Sequence, residues 1–158
     1  MANGVFNIAK GKVNEYMARV DGNDPANAVL VVTLLKTSVV DATLEDFDDL
    51  GAILGDAGVD EADFTNFARK ILSDTDITAP TPDDTNNRQD ADFPDQTWTS
   101  AGGAANNTLV KLLVCYDADS TGGADSAIVP LTHHDFAVTT DGSDLIAQVA
   151  AAGFYRAA

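Results

Sequence analysis

The chain has 158 residues, 45% of them hydrophobic, and a formal net charge of −16 from 25 acids and 9 bases. That length suits one domain with a real core, and the hydrophobic share excludes intrinsic disorder despite the charge. The charge argues against direct binding to nucleic acid, because phosphates are met by lysine and arginine.

Of the acids only Glu15, Glu45 and Glu61 are glutamate; the rest are aspartate. Aspartate favours turns and helix N-caps over element interiors, so the acid is expected in the connections of a β-rich fold. Cys115 is the only cysteine, which excludes an intramolecular disulfide, and its apolar setting points to a buried, inert thiol. Met1-Ala2-Asn3-Gly4-Val5-Phe6 carries no basic region followed by a long apolar stretch, so no signal peptide is expected. Apart from the stretch around Cys115, the longest apolar run, Ala28 to Leu35, is far below the roughly 20 residues that span a bilayer. These features predict a soluble protein made in a reducing cytoplasm, without a membrane partner.

In chain order, Phe6, Ala9, Val13, Tyr16, Met17 and Val20 recur at steps of three and four, the spacing of an amphipathic helix ended by Asp21-Gly22. Gly11 costs that helix about 1 kcal/mol relative to alanine, so a late start or a bend is expected there. The first twenty residues hold Lys10, Lys12 and Arg19 against the single acid Glu15. Such a basic segment either packs on the protein's own acidic body or reaches an acidic partner surface. Ala28 to Leu35 predicts a central strand. Thr43-Leu44-Glu45-Asp46 has the form of a capping box for a helix marked by Leu44, Phe47, Leu50 and Leu54 and stopped at Gly55. Asp60 to Leu72 fits a helical stripe through Phe64, Phe67, Ala68 and Ile71, or a strand from about Thr65, and the pattern leaves both open.

Ile77 to Asn87 is a polar turn region. Gln89 to Phe93 alternates as a strand with one solvated face, ended by Pro94. Thr97-Trp98-Thr99 supplies the only tryptophan to the core, and Ala101 to Asn107 reads as a flexible loop. Leu109 to Tyr116 is the run around which the chain is organised, a central strand covered on both faces. Ala127 to Leu131 is expected as its hairpin partner. Phe136 to Thr140, Asp141-Gly142 and Ser143 to Val149 predict a second hairpin. The aromatics of Gly153-Phe154-Tyr155-Arg156 predict a docked tail. The expected fold is α+β, mainly β: a β-sandwich or jelly-roll-like body, with an N-terminal helix and one or two further helices packed on its side. It forms a single domain, with residues 1–22 an N-terminal helical arm or segment and 23–158 the β-rich body.

No catalytic signature is present. His133 and His134 are adjacent, so in a strand they point to opposite faces and do not share a metal; as turn residues they would bond backbone or carboxylate. No serine stands in a G-x-S-x-G context, and neither phosphate-loop pattern occurs. Asp117-Ala118-Asp119-Ser120-Thr121-Gly122 opens like a calcium loop, but Ile128 stands where the closing glutamate belongs, and an ordinary hairpin loop explains it. The chemistry therefore predicts no enzyme, no cofactor and no metal.

Several strings in the second half resemble a family of small virion structural proteins of tailed double-stranded DNA bacteriophages. They are Asp92 to Thr99, Asn107 to Asp117, Ile128 to Phe136 and Ala152 to Arg156, and the likeness extends over most of the chain from Asn23 onward. The resemblance implies a virion protein assembled in the host bacterial cytoplasm. Capsid decoration is the favoured role, with a tail or head–tail component or a host-surface-binding module as alternatives. Its implied partners are the major capsid protein and copies of itself, and Lys10, Lys12 and Arg19 are the expected capsid or subunit contacts.

Overall fold

The computed structural model describes residues 3–158; Met1 and Ala2, the first residues of the stretch read above for a signal peptide, lie outside them. The first half of the chain holds β1 (Gly4–Val5), α1 (Val13–Asp21), β2 (Val29–Thr37), α2 (Asp41–Leu44), α3 (Leu50–Gly55), β3 (Asp60–Glu61) and β4 (Lys70–Leu72). The second half holds β5 (Pro82–Asp83), β6 (Arg88–Ala91), β7 (Gln96–Trp98), β8 (Thr108–Asp117), β9 (Val129–Thr139), β10 (Leu145–Ala147) and β11 (Tyr155–Ala157). The fold is α+β and mainly β.

The two apolar runs pair with each other. β2 lies antiparallel to β8 from Val29↔Asp117 to Leu35↔Lys111, and β8 pairs with β9 on its other side. The main sheet runs β1-β9-β8-β2-β3, with β4 also on β2. Every residue of β2 from Val29 to Leu35 is buried, as is every residue of β8 from Lys111 to Tyr116. Directly paired residues share a face, so the pattern requires covers on both sides. On one face Leu30, Val32 and Leu34 stand beside Tyr116, Val114 and Leu112. Tyr16 of α1 meets Tyr116 there, with ring centroids 4.7 Å apart. On the other face, Thr33, Lys111 and His133 meet the 41–61 segment: Lys111 pairs with Asp41, His133 with Glu45, and Thr33 hydrogen-bonds Glu61.

Two small sheets complete the body. β7 pairs with β10, and β6 lies between β5 and β11. Phe154, just before β11, stacks on Phe93 at 5.0 Å, so the aromatic tail is docked as expected.

Several local expectations are corrected. The N-terminal periodicity yields a 3₁₀ turn at Asn7–Ala9 and then α1, because Gly11 takes φ +76° between them, a conformation open mainly to glycine. Phe6, Ala9, Val13, Met17 and Val20 are all fully buried, so residues 6–20 belong to the core and do not form a free arm. The Thr43 capping box does not form. Thr43 lies inside α2, and the side-chain cap is Asp49, whose Oδ1 accepts from the Ala52 N–H at 2.7 Å to start α3. Asp60 to Leu72 is strand at its two ends and not helix. Asn66 at φ +70° breaks the stripe, and the Thr65 N–H is taken by the Ala105 carbonyl.

The loop at 101–107 is pinned, contrary to the flexible reading. Its Asn107 Oδ1 accepts from the Asp63 and Phe64 N–H groups, and the Ala105 N–H donates to Thr65 Oγ1. The second hairpin is also absent. Phe136 to Thr139 continues β9, and after the Asp141-Gly142 turn β10 pairs with β7. The turn is held to the pinned loop, with Gly142 N–H donating to Ala101 O and Ala101 N–H to Ser143 O. Those bonds draw the chain off the main sheet before a hairpin closes.

Arg69 ties three distant segments together. Its guanidinium makes paired hydrogen bonds to Glu61 (2.6 and 3.0 Å) and to Asp125 (2.6 and 2.9 Å). Four donors are used in one plane, an arrangement an ammonium cannot copy. Because all three side chains keep some solvent contact, Arg69→Lys is expected to cost about 1–2 kcal/mol in urea denaturation, and an unchanged midpoint would show the clamp to be energetically idle.

Candidate functional site

A groove of about 470 Å³ lies between β9 and the C-terminal segment. Its apolar wall is Phe93, Leu112, Phe136, Val149 and Phe154, joined by His134 and Asp135. A second hollow of about 260 Å³ continues it toward β1 and β11 and shares Asn3, His134 and Phe154. Residues far apart in sequence build it, because β11 docks on β6 and brings Phe154 over Phe93 and against the edge of the His134 ring, 6.5 Å away.

His133 and His134 are strand residues and not turn residues, and alternation sends them to opposite faces. His134 faces the groove, where its Nε2 bonds Thr132 Oγ1 at 2.9 Å. Burial, helped by the charges of His133 and Lys111, pulls it down to about 4, so the ring is neutral at ordinary pH. His133 is fully buried, with Nε2 3.3 Å from Glu45 Oε1, Nδ1 without a hydrogen-bond partner among the described residues, and the Phe6 ring edge-on at 5.7 Å. Any side chain at Gly4 would collide with that imidazole, which is why β1 carries glycine there.

Asp135 borders the groove and is bound by Lys111 at 2.5 Å; the same ammonium reaches Asp41 at 2.6 Å. Burial would lower the Lys111 pKa, but hydrogen bonds to Asp135 and Asp41 outweigh it and raise the value, so the lysine stays charged. Two anions around one buried cation make a structural node and leave no free base for chemistry.

The basic segment divides. Lys10 Nζ lies 3.3 Å from Glu45, and Arg19 pairs with Glu15 one helical turn away at 2.7 Å, so both rest on the protein's own acids. Lys12 is exposed and has no such partner among the described residues. The loop at Asp117–Gly122 is organised by its own side chains, with Asp117 accepting from the Asp119 N–H and Asp119 from the Thr121 N–H. Among the described residues no three His, Cys, Asp or Glu side chains converge as metal ligands. Cys115 is buried in β8, and burial pushes its thiol up to about 12.

Sequence reasoning singled out the tail aromatics and the histidine pair but did not join them. The only signal was the run Gly153-Phe154-Tyr155, apolar where a frayed end would be polar. Compared with protein-family models, with curated proteins and with solved structures, the chain matches none.

Proposed function

We propose that this chain is a non-enzymatic structural protein of a tailed-phage virion, a head decoration protein that docks on the outside of the capsid as an oligomer and stabilises it. The carrying observation is the resemblance of Asp92 to Thr99, Asn107 to Asp117, Ile128 to Phe136 and Ala152 to Arg156 to that family. These strings supply β7, β8, most of β9 and the start of β11, so the likeness concerns strands from all three sheets and not one motif. The role asks for a rigid acidic body and a docking patch. Symmetric repetition then multiplies a modest affinity at each contact.

Lys12 is the residue through which the basic segment meets its partner, since Lys10 and Arg19 are already engaged within the chain. Deleting residues 1–20 would remove five fully buried side chains, so a point change is the usable test. Lys12→Glu breaks no internal pair, and it is expected to weaken binding to purified shells about tenfold with an unchanged melting temperature. Undiminished binding would remove the docking role from this segment. Imaging the assembled virion tests the proposal itself. Hundreds of copies at symmetric positions on the head support it, and a handful at the tail overturns it.

A further inference from the structure

The groove beside β9 is unused by anything described so far, and its rim has a definite charge. Asp95 adjoins the wall, its Oδ1 accepting from the N–H of the lining residue Val149 at 2.8 Å. Asp92 flanks Phe93 and packs close to Gly153, which also lines the groove. No cation pairs with either carboxylate among the described residues. Two bases beside the groove are already held: Arg156 by Asp90, at 2.6 and 3.0 Å, and Lys111 by Asp41 and Asp135. Floor and rim therefore ask for different things of one occupant, an apolar planar group inside and a positive charge at the mouth.

We propose that this groove receives an extended segment of the capsid protein in which an aromatic side chain, flanked by lysine or arginine, packs against Phe136 and the stacked Phe93–Phe154 pair while its basic neighbour meets Asp92 and Asp95. The inference rests on the virion reading and names the partner's chemistry. A cavity of about 470 Å³ is ample for one indole or phenyl ring. The three phenylalanines offer edge and face contacts, and the His134 ring offers a polar contact without bringing a charge into the apolar wall. Aromatic anchors in a desolvated pocket with a charged rim are the usual form of an interface hot spot. Lys12 and the groove then give the body two separate attachments to the shell.

The test is an NMR titration of the ¹⁵N-labelled chain with the probe acetyl-Lys-Trp-Lys-amide, with acetyl-Glu-Trp-Glu-amide as the control. Saturable shifts are expected at Phe136, Val149 and Gly153, with the acidic control at least fivefold weaker. Ala150→Trp, at an exposed lining position, should fill the mouth and weaken the basic probe at least tenfold, and Asp92→Asn with Asp95→Asn should erase its advantage over the control. Equal binding of the two probes, or shifts confined to other surfaces, would overturn the groove assignment. Shell binding separates the two readings. If wild type decorates shells while the probe ignores the groove, the groove assignment falls alone; if the probe binds there and shells recruit no protein, the virion reading falls and the groove remains a basic-aromatic site.

Discussion

Trp98→Ala is expected to lower the unfolding free energy by about 4 kcal/mol, within the range for emptying a buried aromatic site. Trp98 is 1% exposed and pairs with Leu145 across the β7–β10 sheet. Its indole N–H donates to the Ala68 carbonyl at 2.8 Å, and the Lys70 ammonium sits 5.2 Å from the ring centre. Truncation therefore leaves a cavity and an unpaired carbonyl and removes the ring contact of the partly exposed Lys70. Because the whole domain is held by only about 5–15 kcal/mol, the loss is large. Trp98→Phe keeps most of the apolar area and should cost about 1–2 kcal/mol, chiefly the lost hydrogen bond. Urea unfolding followed by circular dichroism measures both, since the only tryptophan is gone. A loss below about 1 kcal/mol for the alanine variant would mean that this sheet unfolds separately from the main one.

Acid should weaken the protein well before its carboxylates titrate. His134 is held near 4 in the folded chain, mainly by burial, against an ordinary value of about 6.5 once unfolded. As pH falls below 6.5 the unfolded chain takes up a proton that the folded chain refuses, so stability drops and levels off near pH 4. The accumulated loss is about 3 kcal/mol at 1.36 kcal/mol per pH unit. His134→Gln removes the titrating ring, so its urea midpoint should stay nearly flat down to about pH 5, where the unfolded carboxylates begin to bind protons. Below it both proteins lose stability together, as groups such as Asp125, held low by the Arg69 hydrogen bonds, finally protonate. Parallel curves for the two proteins between pH 6.5 and 4 would refute the assignment.

The long strands were legible because their sequences permit one reading. Val29 to Leu35 and Leu109 to Tyr116 are near-continuous apolar runs, interrupted only by Thr33 and Lys111, with β-branched residues, too short for helices and bounded by turn-formers. Gly55 as a stop, Trp98 in the core, a buried Cys115 and a docked tail followed from equally local chemistry. Misreadings arose where distant backbone competed with local preference. Thr43 had the capping-box spacing, yet Asp49 starts the helix that forms. Phe64 and Phe67 fitted a helical stripe as well as a strand, and no local pattern could choose, because Asn66 takes φ +70° and the segment hydrogen-bonds to a loop forty residues away. Asp141-Gly142 does form a tight turn, and its destination was set by Ala101, which no window around the turn contains. The groove was invisible for the same reason, since Phe93, His134 and Phe154 meet only through the pairing of β11 with β6.

That pairing fixes an order of events during synthesis. β6 and β7 are made early and wait, β7 for residues 145–147 and β6 for residues 155–157. β1 likewise waits for Thr132 and His133. Closing such long loops is slow, and unpaired edges invite wrong partners in the meantime. A nascent chain released before Tyr155 would carry a finished main sheet beside an unfinished small one, with half a groove. Cleavage in the stretch 140–144 would sever both β10 and β11 from the main sheet and leave them joined to it only through β7 and β6.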